Sequence, residues 1–363
     1  IALARAAAAR AGVVPHFTIF TAREAGPPYV TDAHVTLRSI TGRYMVSPSG
    51  YISDLRSIDI MLDISAGDSF ADIYANKRFA YMAATKAAVI LAGKPLILSP
   101  QTIGPFTRQP HSAIAGWICN RAAMVFARDP LSMTVLQKLS PRARAQQVID
   151  VAFALPFDRP PPRGDGEIHV GLNVSGLLMS GGYAGGNEYG LSVDYPAFTR
   201  QLITAFAARP GVRVHLVPHV IAPSMPNDDD AAAADRLLAE FPHLVRHPDF
   251  TSPGAAKSFI SGLDFLVGAR MHATIAAYSA GVPVVPISYS RKFEGLFGGL
   301  DYPWLVPVKG LGTDAATAYV MDAFDKRAHL SADIARGSAI VRAGLENYTA
   351  ALADQFRLAA QRN

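Results

Sequence analysis

The chain has 363 residues, 50% hydrophobic and 17% charged, with a formal net charge of +5; this length favours two domains of about 150 residues each, and the composition excludes a disordered chain. Its longest apolar stretches, such as Tyr81 to Leu91, are interrupted by Lys86 and fall short of the ~18 uncharged residues of a membrane span, so no integral membrane span is expected. One cysteine, Cys119, excludes an internal disulfide and a multi-cysteine zinc site and points to the cytoplasm, while scattered basic residues with no nucleic-acid motif argue against a nucleic-acid partner.

In chain order, the alanine-rich run that opens at Ile1 reads as a first helix ending at Gly12, with an arginine-rich transit peptide as the competing reading. The natural N-terminus, with a first strand and its loop, is expected upstream of Ile1. Strands are expected at Phe17 to Thr21, Ile58 to Ile64, Pro95 to Ser99, Met124 to Ala127 and Gln147 to Ile149. Helices fall between them at Ala71 to Ala92, Ile114 to Ala122 and Leu131 to Leu139. The run from Phe157 to Gly166 holds three prolines and two glycines, which forbid a helix and mark a domain boundary.

Beyond it, strands are expected at Ile168 to Asn173, Arg213 to Val217, Phe265 to Gly268 and Pro283 to Pro286. Helices are expected at Tyr195 to Ala208, Asp229 to Phe241, Pro253 to Ser261 and Met271 to Ala280. Leu345, Tyr348, Leu352 and Phe356 make one apolar face of a terminal helix. The organisation expected is an N-terminal domain over 1–157, a C-terminal domain over 168–330 and helices over 331–363 that pack back on the first domain. The alternation gives an α/β protein, GT-B-like, with two Rossmann-like doubly wound parallel-sheet domains facing a cleft. Ligands in such sheets lie at the carboxyl ends of the strands.

Several polar segments follow apolar strands. Gly67 permits close backbone approach, and Asp68 or Ser69 either caps the next helix or lines the ligand site. Gln101 and Thr102 follow the next strand. Arg128 and Asp129 follow another, where a salt bridge competes with ligand contact. Asn173, Ser175 and His219 are strand-end residues of the second domain. Asp228, Asp229 and Asp230 suggest either helix capping or a metal site, and the alanine-rich helix behind them favours capping, with no metal assigned.

The richest segment is Gly268-Ala-Arg-Met-His-Ala, which puts Arg270 and His272 in the first turn of a helix at a strand's carboxyl end. Backbone N–H groups and the helix dipole favour an anion there, and an arginine fork suits phosphate or carboxylate. The competing reading pairs Arg270 with an acidic neighbour and leaves His272 half-buried. Lys292, beside Arg291, follows the next strand as a further cation.

As an ordered set across about residues 60 to 300, several segments resemble the polysaccharide pyruvyltransferase family. They are Gly67-Asp-Ser-Phe with Asp72-Ile-Tyr, Gln101-Thr-Ile-Gly-Pro-Phe, Ala127-Arg-Asp, the His219 strand end, Gly268-Ala-Arg-Met-His-Ala and Tyr289 with Lys292. The resemblance implies transfer of the pyruvyl group of phosphoenolpyruvate to two hydroxyls of a saccharide acceptor, forming a ketal and releasing phosphate, with no cofactor. It places His272 in catalysis and Arg270 on the donor's phosphate or carboxylate. A lipid-linked acceptor would bring the protein to the inner face of the membrane through its substrate. The sequence departs from the family where Ala66 stands in place of a glycine and where a glycine-rich loop would precede the chain. A nucleotide-sugar glycosyltransferase of the same fold and a non-catalytic binding homologue are the rival readings, although Glu294 is followed eight positions later by Tyr302 rather than a second glutamate.

Overall fold

The structure, a computed structural model, describes residues 1–21, 30, 32, 34–68, 70–73, 76–164 and 166–362. It divides into two units, residues 1–151 with 342–363, and residues 152–341.

The first unit holds α1 (Ala2–Ala11), β1 (Phe17–Thr21), β2 (Val35–Ser39), α2 (Gly42–Val46), α3 (Tyr51–Ser57) and β3 (Met61–Asp63). It continues with α4 (Asn76–Leu91), β4 (Leu96–Gln101), α5 (His111–Arg121), β5 (Met124–Ala127), α6 (Pro130–Leu139) and β6 (Ala145–Gln147). Strands β3, β4, β5 and β6 lie side by side in that order, all parallel, and β1 and β2 form a separate parallel pair. Every residue of β4 is buried; Leu96, Ile97 and Leu98 supply the apolar run of a strand covered on both faces, and Ser99 and Gln101 follow as buried polar residues.

Successive strand residues point to opposite faces, and this sorts the unit's interior into two cores. Leu96, Leu98 and Val125 pack with Phe79, Val89, Ile118 and Leu136 of α4, α5 and α6. Ile97 and Phe126 pack on the other face, against Ala7 and Ala8 of α1 and Tyr348, Leu352 and Phe356.

The second unit holds β7 (Ile168–Asn173), α7 (Gly176–Met179), α8 (Tyr195–Ala207), β8 (Val212–Leu216), α9 (Asp230–Glu240), β9 (Val245–Arg246) and α10 (Pro253–Ile260). After these come β10 (Phe265–Gly268), α11 (Met271–Ser279), β11 (Val284–Pro286), α12 (Arg291–Gly298) and α13 (Thr313–Asp325). Its parallel sheet runs β11–β10–β7–β8–β9. The chain therefore starts in the middle at β7, winds outward to β9 and returns on the other side at β10. The strand order reverses between β7 and β10, the place where open α/β sheets bind ligands. Side-chain caps start several helices: Asp129 for α6, Asp194 for α8 and Ser252 for α10, each accepting a backbone N–H.

The division between units falls at Val151 and Ala152 rather than in the proline-rich stretch 157–167. The physical reason is Lys257, whose Nζ donates to the carbonyls of Phe153 (3.2 Å) and Leu155 (2.8 Å), while Asp158 N donates to Ser258 Oγ (3.0 Å). These bonds bind the approach to the prolines onto α10. The last helix, α14 (Arg327–Ala360), spans 34 residues, and its part from Arg342 onward belongs to the first unit. There Tyr348 Oη donates to Ser99 Oγ (3.0 Å) and Arg10 pairs with Glu346 (2.8 Å). Among the described residues no helix is long and apolar enough to cross a membrane.

Leu352 is fully buried whereas Leu358, two turns on, is 47% exposed. Leu352→Ala is expected to cost about 2–5 kcal/mol, and Leu358→Ala to stay within about 0.5 kcal/mol of the parent. Urea unfolding midpoints of the two variants test this; equal midpoints would contradict the packing of α14 on the first sheet.

Candidate active site

The second unit's strand ends are organised around one carboxylate. Asp230 begins α9 with no solvent exposure, so its lone pairs must be met by protein donors. Its Oδ1 accepts from Gly176 N (2.9 Å) and Arg270 Nη2 (2.6 Å), and its Oδ2 from His219 N (3.2 Å) and Val220 N (3.0 Å). Arg270 Nε lies 3.2 and 3.1 Å from the two oxygens. Arg270 Nη2 also donates to Asp228 Oδ1 (2.6 Å) and to the Asp228 carbonyl (3.1 Å). Burial opposes charge on Arg270, but the hydrogen bonds and charge of Asp230 and then Asp228 prevail and raise its pKa above the ordinary value.

Two neighbours complete this junction. Asn173, the last residue of β7, accepts Arg270 N on Oδ1 (2.9 Å) and donates Nδ2 to the Val217 carbonyl (2.8 Å). Gly176 is required where it stands, because a Cβ there would lie 2.4 Å from the carbonyl oxygen of Asp229. Ser175 is buried, caps α7 by accepting Leu178 N (3.3 Å) and donates its own N–H to Tyr195 Oη (3.1 Å).

Arg270 has the acidic neighbours of the competing reading, since its Nε and Nη2 hold Asp230 and Asp228. Asn173 and Ser175 likewise use their polar atoms within the protein. Asp229 caps α9 by accepting Ala231 N (3.0 Å) and Ala232 N (3.4 Å). Among the described residues no three His, Cys, Asp or Glu side chains are grouped as metal ligands.

His272, two residues past Arg270 in the first turn of α11, is exposed. His219 follows β8, and its buried Nδ1 makes no hydrogen bond to any described residue. Burial first, then the charges of His272 and Arg270, push its pKa down to about 4, so His219 is neutral at pH 7. Tyr289, half-buried after β11, packs edge-on against Tyr189 with ring centroids 5.2 Å apart. Burial raises its pKa, and Arg270, Asp228 and Asp230 are close enough to act on it. Arg291 and Lys292 open α12, where the helix dipole disfavours cations and an anion would offset them. Arg270, Asn173, Ser175, His219, His272 and Tyr289 thus share one region around the ends of β7, β8, β10 and β11.

In the first unit, β3 is followed by a turn of Ser65, Ala66 and Gly67, with φ of 44, 50 and 83°. Three consecutive left-handed residues explain why glycine suits position 66, since a side chain there costs about 1–2 kcal/mol. Gly67 O accepts Thr102 N (2.8 Å), and a Cβ on Gly67 would stand 3.5 Å from Arg128 Nη1. Asp68 ends this turn half-buried; Ser69 lies outside the described residues.

Arg128 is buried and pairs with Asp150 (2.7 Å), with Asp129 at 3.9 Å. It takes the salt-bridge alternative. Gln101 Nε2 donates to the carbonyls of Asp63 (2.9 Å) and Ser99 (3.1 Å). Among the described residues Gln101 Oε1 and Thr102 Oγ1 are buried without a hydrogen bond, and orphaned polar atoms of this kind call for a functional explanation.

Sequence reasoning missed Asp230 as the partner of Arg270, Asp150 as the partner of Arg128, and the network beneath residues 65–67. There Lys86, fully buried, reaches Asp63 Oδ1 (3.0 Å) and Ser65 Oγ (2.7 Å), and Ser65 Oγ donates to Asp63 Oδ1 (2.7 Å). The signal for it is Lys86 itself, a lone charge in an apolar helical run.

A family model described as polysaccharide pyruvyl transferase matches residues 22–291. The amylovoran biosynthesis protein AmsJ of Erwinia amylovora is 22% identical over 303 residues, covering 79% of this chain and 70% of that protein. Among solved structures, sucrose-phosphate synthase of Thermosynechococcus elongatus superposes with a TM-score of 0.56 at 13% identity, covering 100% of this chain and 92% of that one. HepE of Anabaena in complex with UDP gives 0.53 at 12% identity, covering 89% and 86%. These likenesses give the fold: GT-B-like, with two Rossmann-like units.

Two outcomes follow from the junction. Asp230→Ala leaves the half-buried Arg270 with Asp228 as its remaining acidic partner and is expected to lower stability by about 3 kcal/mol, read from denaturant unfolding; a loss below 1 kcal/mol (about one salt bridge at the surface) would refute its central place. The second concerns pH. Native His219 refuses a proton until about pH 4, against an ordinary value of 6.5, so its contribution stands in full above pH 6.5 and is lost as pH falls toward 4. His219→Gln should flatten stability against pH in that window, leaving a residual slope from His215, also pushed down to about 4 by burial; an unchanged slope would show that His219 is not held neutral.

Proposed function

The chain belongs to the polysaccharide pyruvyl transferase family and is a transferase enzyme, and we propose that it moves the pyruvyl group of phosphoenolpyruvate onto two hydroxyls of a sugar in a polysaccharide precursor. The observation that carries this reading is exposed His272 beside neutral His219, at the switch point of the second sheet and held there by the Arg270–Asp230 pair. The amylovoran-biosynthesis relative supports a role in exopolysaccharide biosynthesis.

The chemistry asks for one proton delivered and two removed. A proton added to the methylene carbon makes C2 electrophilic; one sugar hydroxyl adds to C2, the C2–O bond to phosphate breaks, and the second hydroxyl closes the ketal. Of the two hydroxyl protons, one replaces that delivered to carbon and the other leaves with phosphate. His272 is assigned the proton transfer, because it is the exposed imidazole of the pair. Lys292 at the start of α12 is assigned the departing phosphate, whose charge grows as the bond breaks. Arg270 acts through its carboxylates as a positioning residue. Gln101, Thr102, Gly67, Asp68 and Tyr289 are assigned to substrate contact, the first two on the strength of their unmatched oxygens.

The test is incubation of the purified protein with phosphoenolpyruvate and candidate glycans, followed by mass spectrometry for the ketal and assay of released phosphate. In the same assay His272→Gln should reduce kcat by about 10²-fold or more with an unchanged melting temperature, and Lys292→Gln should chiefly raise the donor KM. Full turnover by folded His272→Gln would transfer the role to His219. Transfer from UDP- or GDP-sugars with none from phosphoenolpyruvate would replace the reading by a glycosyltransferase, and donor binding without turnover would make the chain a binding homologue.

A further inference from the structure

The first unit has a groove of about 460 Å³ at the amino ends of β4, β5 and β6. Its lining includes Lys94 just before β4, Ala123 just before β5 and Arg144 just before β6. Gln101, Thr102 and Arg128 lie at the opposite, carboxyl ends of those strands. Five cations line the groove, Lys94, Arg121, Arg142, Arg144 and Arg362, and no aspartate or glutamate does. Five is also the chain's whole formal excess of positive charge, so the remainder is balanced.

Part of this charge is accounted for locally. Arg121 stacks on Trp117 (5.0 Å to the ring centroid) at the end of α5, and Arg362 follows the end of α14; helix carboxyl ends favour cations. Lys94 Nζ donates to the Arg56 carbonyl (3.2 Å). Arg142 and Arg144 have neither ion pair nor hydrogen bond from their side chains among the described residues. Arginines elsewhere are commonly paired, as Arg10 is with Glu346, Arg200 with Glu240 and Arg213 with Glu167. Like charges gathered in one concavity repel, and a multivalent anion relieves that repulsion while meeting two planar guanidinium forks.

We propose that this groove is a second anion site, which takes a phosphate-bearing group of at least two negative charges, supplied by a free diphosphate or by a phosphorylated lipid headgroup. It is independent of the pyruvyl-transfer reading. The experiment compares the full chain with Arg142→Gln/Arg144→Gln in two arms. One arm titrates inorganic pyrophosphate by calorimetry, with Lys292→Gln as the control for binding at the second unit's strand ends. The other measures co-sedimentation with phosphatidylcholine vesicles, with and without phosphatidic acid, whose terminal phosphomonoester can carry two negative charges.

The double variant is expected to weaken one of these by about tenfold or more, with Arg142→Lys/Arg144→Lys retaining part of the binding. Loss in the pyrophosphate arm alone identifies a free diphosphate as the source; loss in the phosphatidic acid arm identifies the headgroup. Binding in both arms unchanged by the double variant, or pyrophosphate binding abolished only by Lys292→Gln with vesicle binding unchanged, overturns the proposal. Both positions are exposed, so melting temperatures should match the parent and verify that the variant is folded.

Discussion

The ion pair between Arg270 and Asp230 is the constraint from which the second unit's strand ends take their form. Burying two opposite charges costs more than their attraction returns unless every remaining donor and acceptor is met. Here Asp230 is met by three backbone N–H groups as well as the guanidinium, and Arg270 has Asp228 as a second partner. Those donors come from the segments after β7 and β8, and the guanidinium from the segment after β10. A single carboxylate thereby fixes three loops at the point where the strand order reverses.

That arrangement divides the Arg-Met-His segment by role. Arg270 turns inward to carboxylates, which orients the start of α11, and His272 two residues later is left at the surface. An imidazole that must exchange protons with a bound substrate benefits from a rigid support that is not itself consumed by the reaction. His219 depends on the same junction, since its backbone N–H is one of the Asp230 donors while its ring stays neutral.

The first unit supports its strand ends differently. Below the left-handed turn Ser65-Ala66-Gly67 lies the buried Lys86 with Asp63 and Ser65, and Arg128 is locked to Asp150. Charges in both units are neutralised close to where the chain turns. The groove at the amino ends of β4, β5 and β6 departs from this habit by gathering five cations without a carboxylate.

Local pattern in the sequence determined the elements. The bounds of β1, β5, β7 and β10 follow directly from their apolar runs, and α1 stops at Gly12 in the left-handed conformation, because strand burial and helix stops depend on neighbouring residues. The apolar spacing of Tyr348, Leu352 and Phe356 likewise marked the face that α14 packs on the first sheet. Tertiary structure alone decided partners. Nothing near Arg270 in the chain indicates Asp230, 40 residues away, and Arg128 lies beside Asp129 yet makes its close bond to Asp150. Whether a strand-end arginine meets a ligand or a carboxylate depends on which loops the sheet order brings together, and strand order is set by packing across the whole unit rather than by any short stretch of sequence.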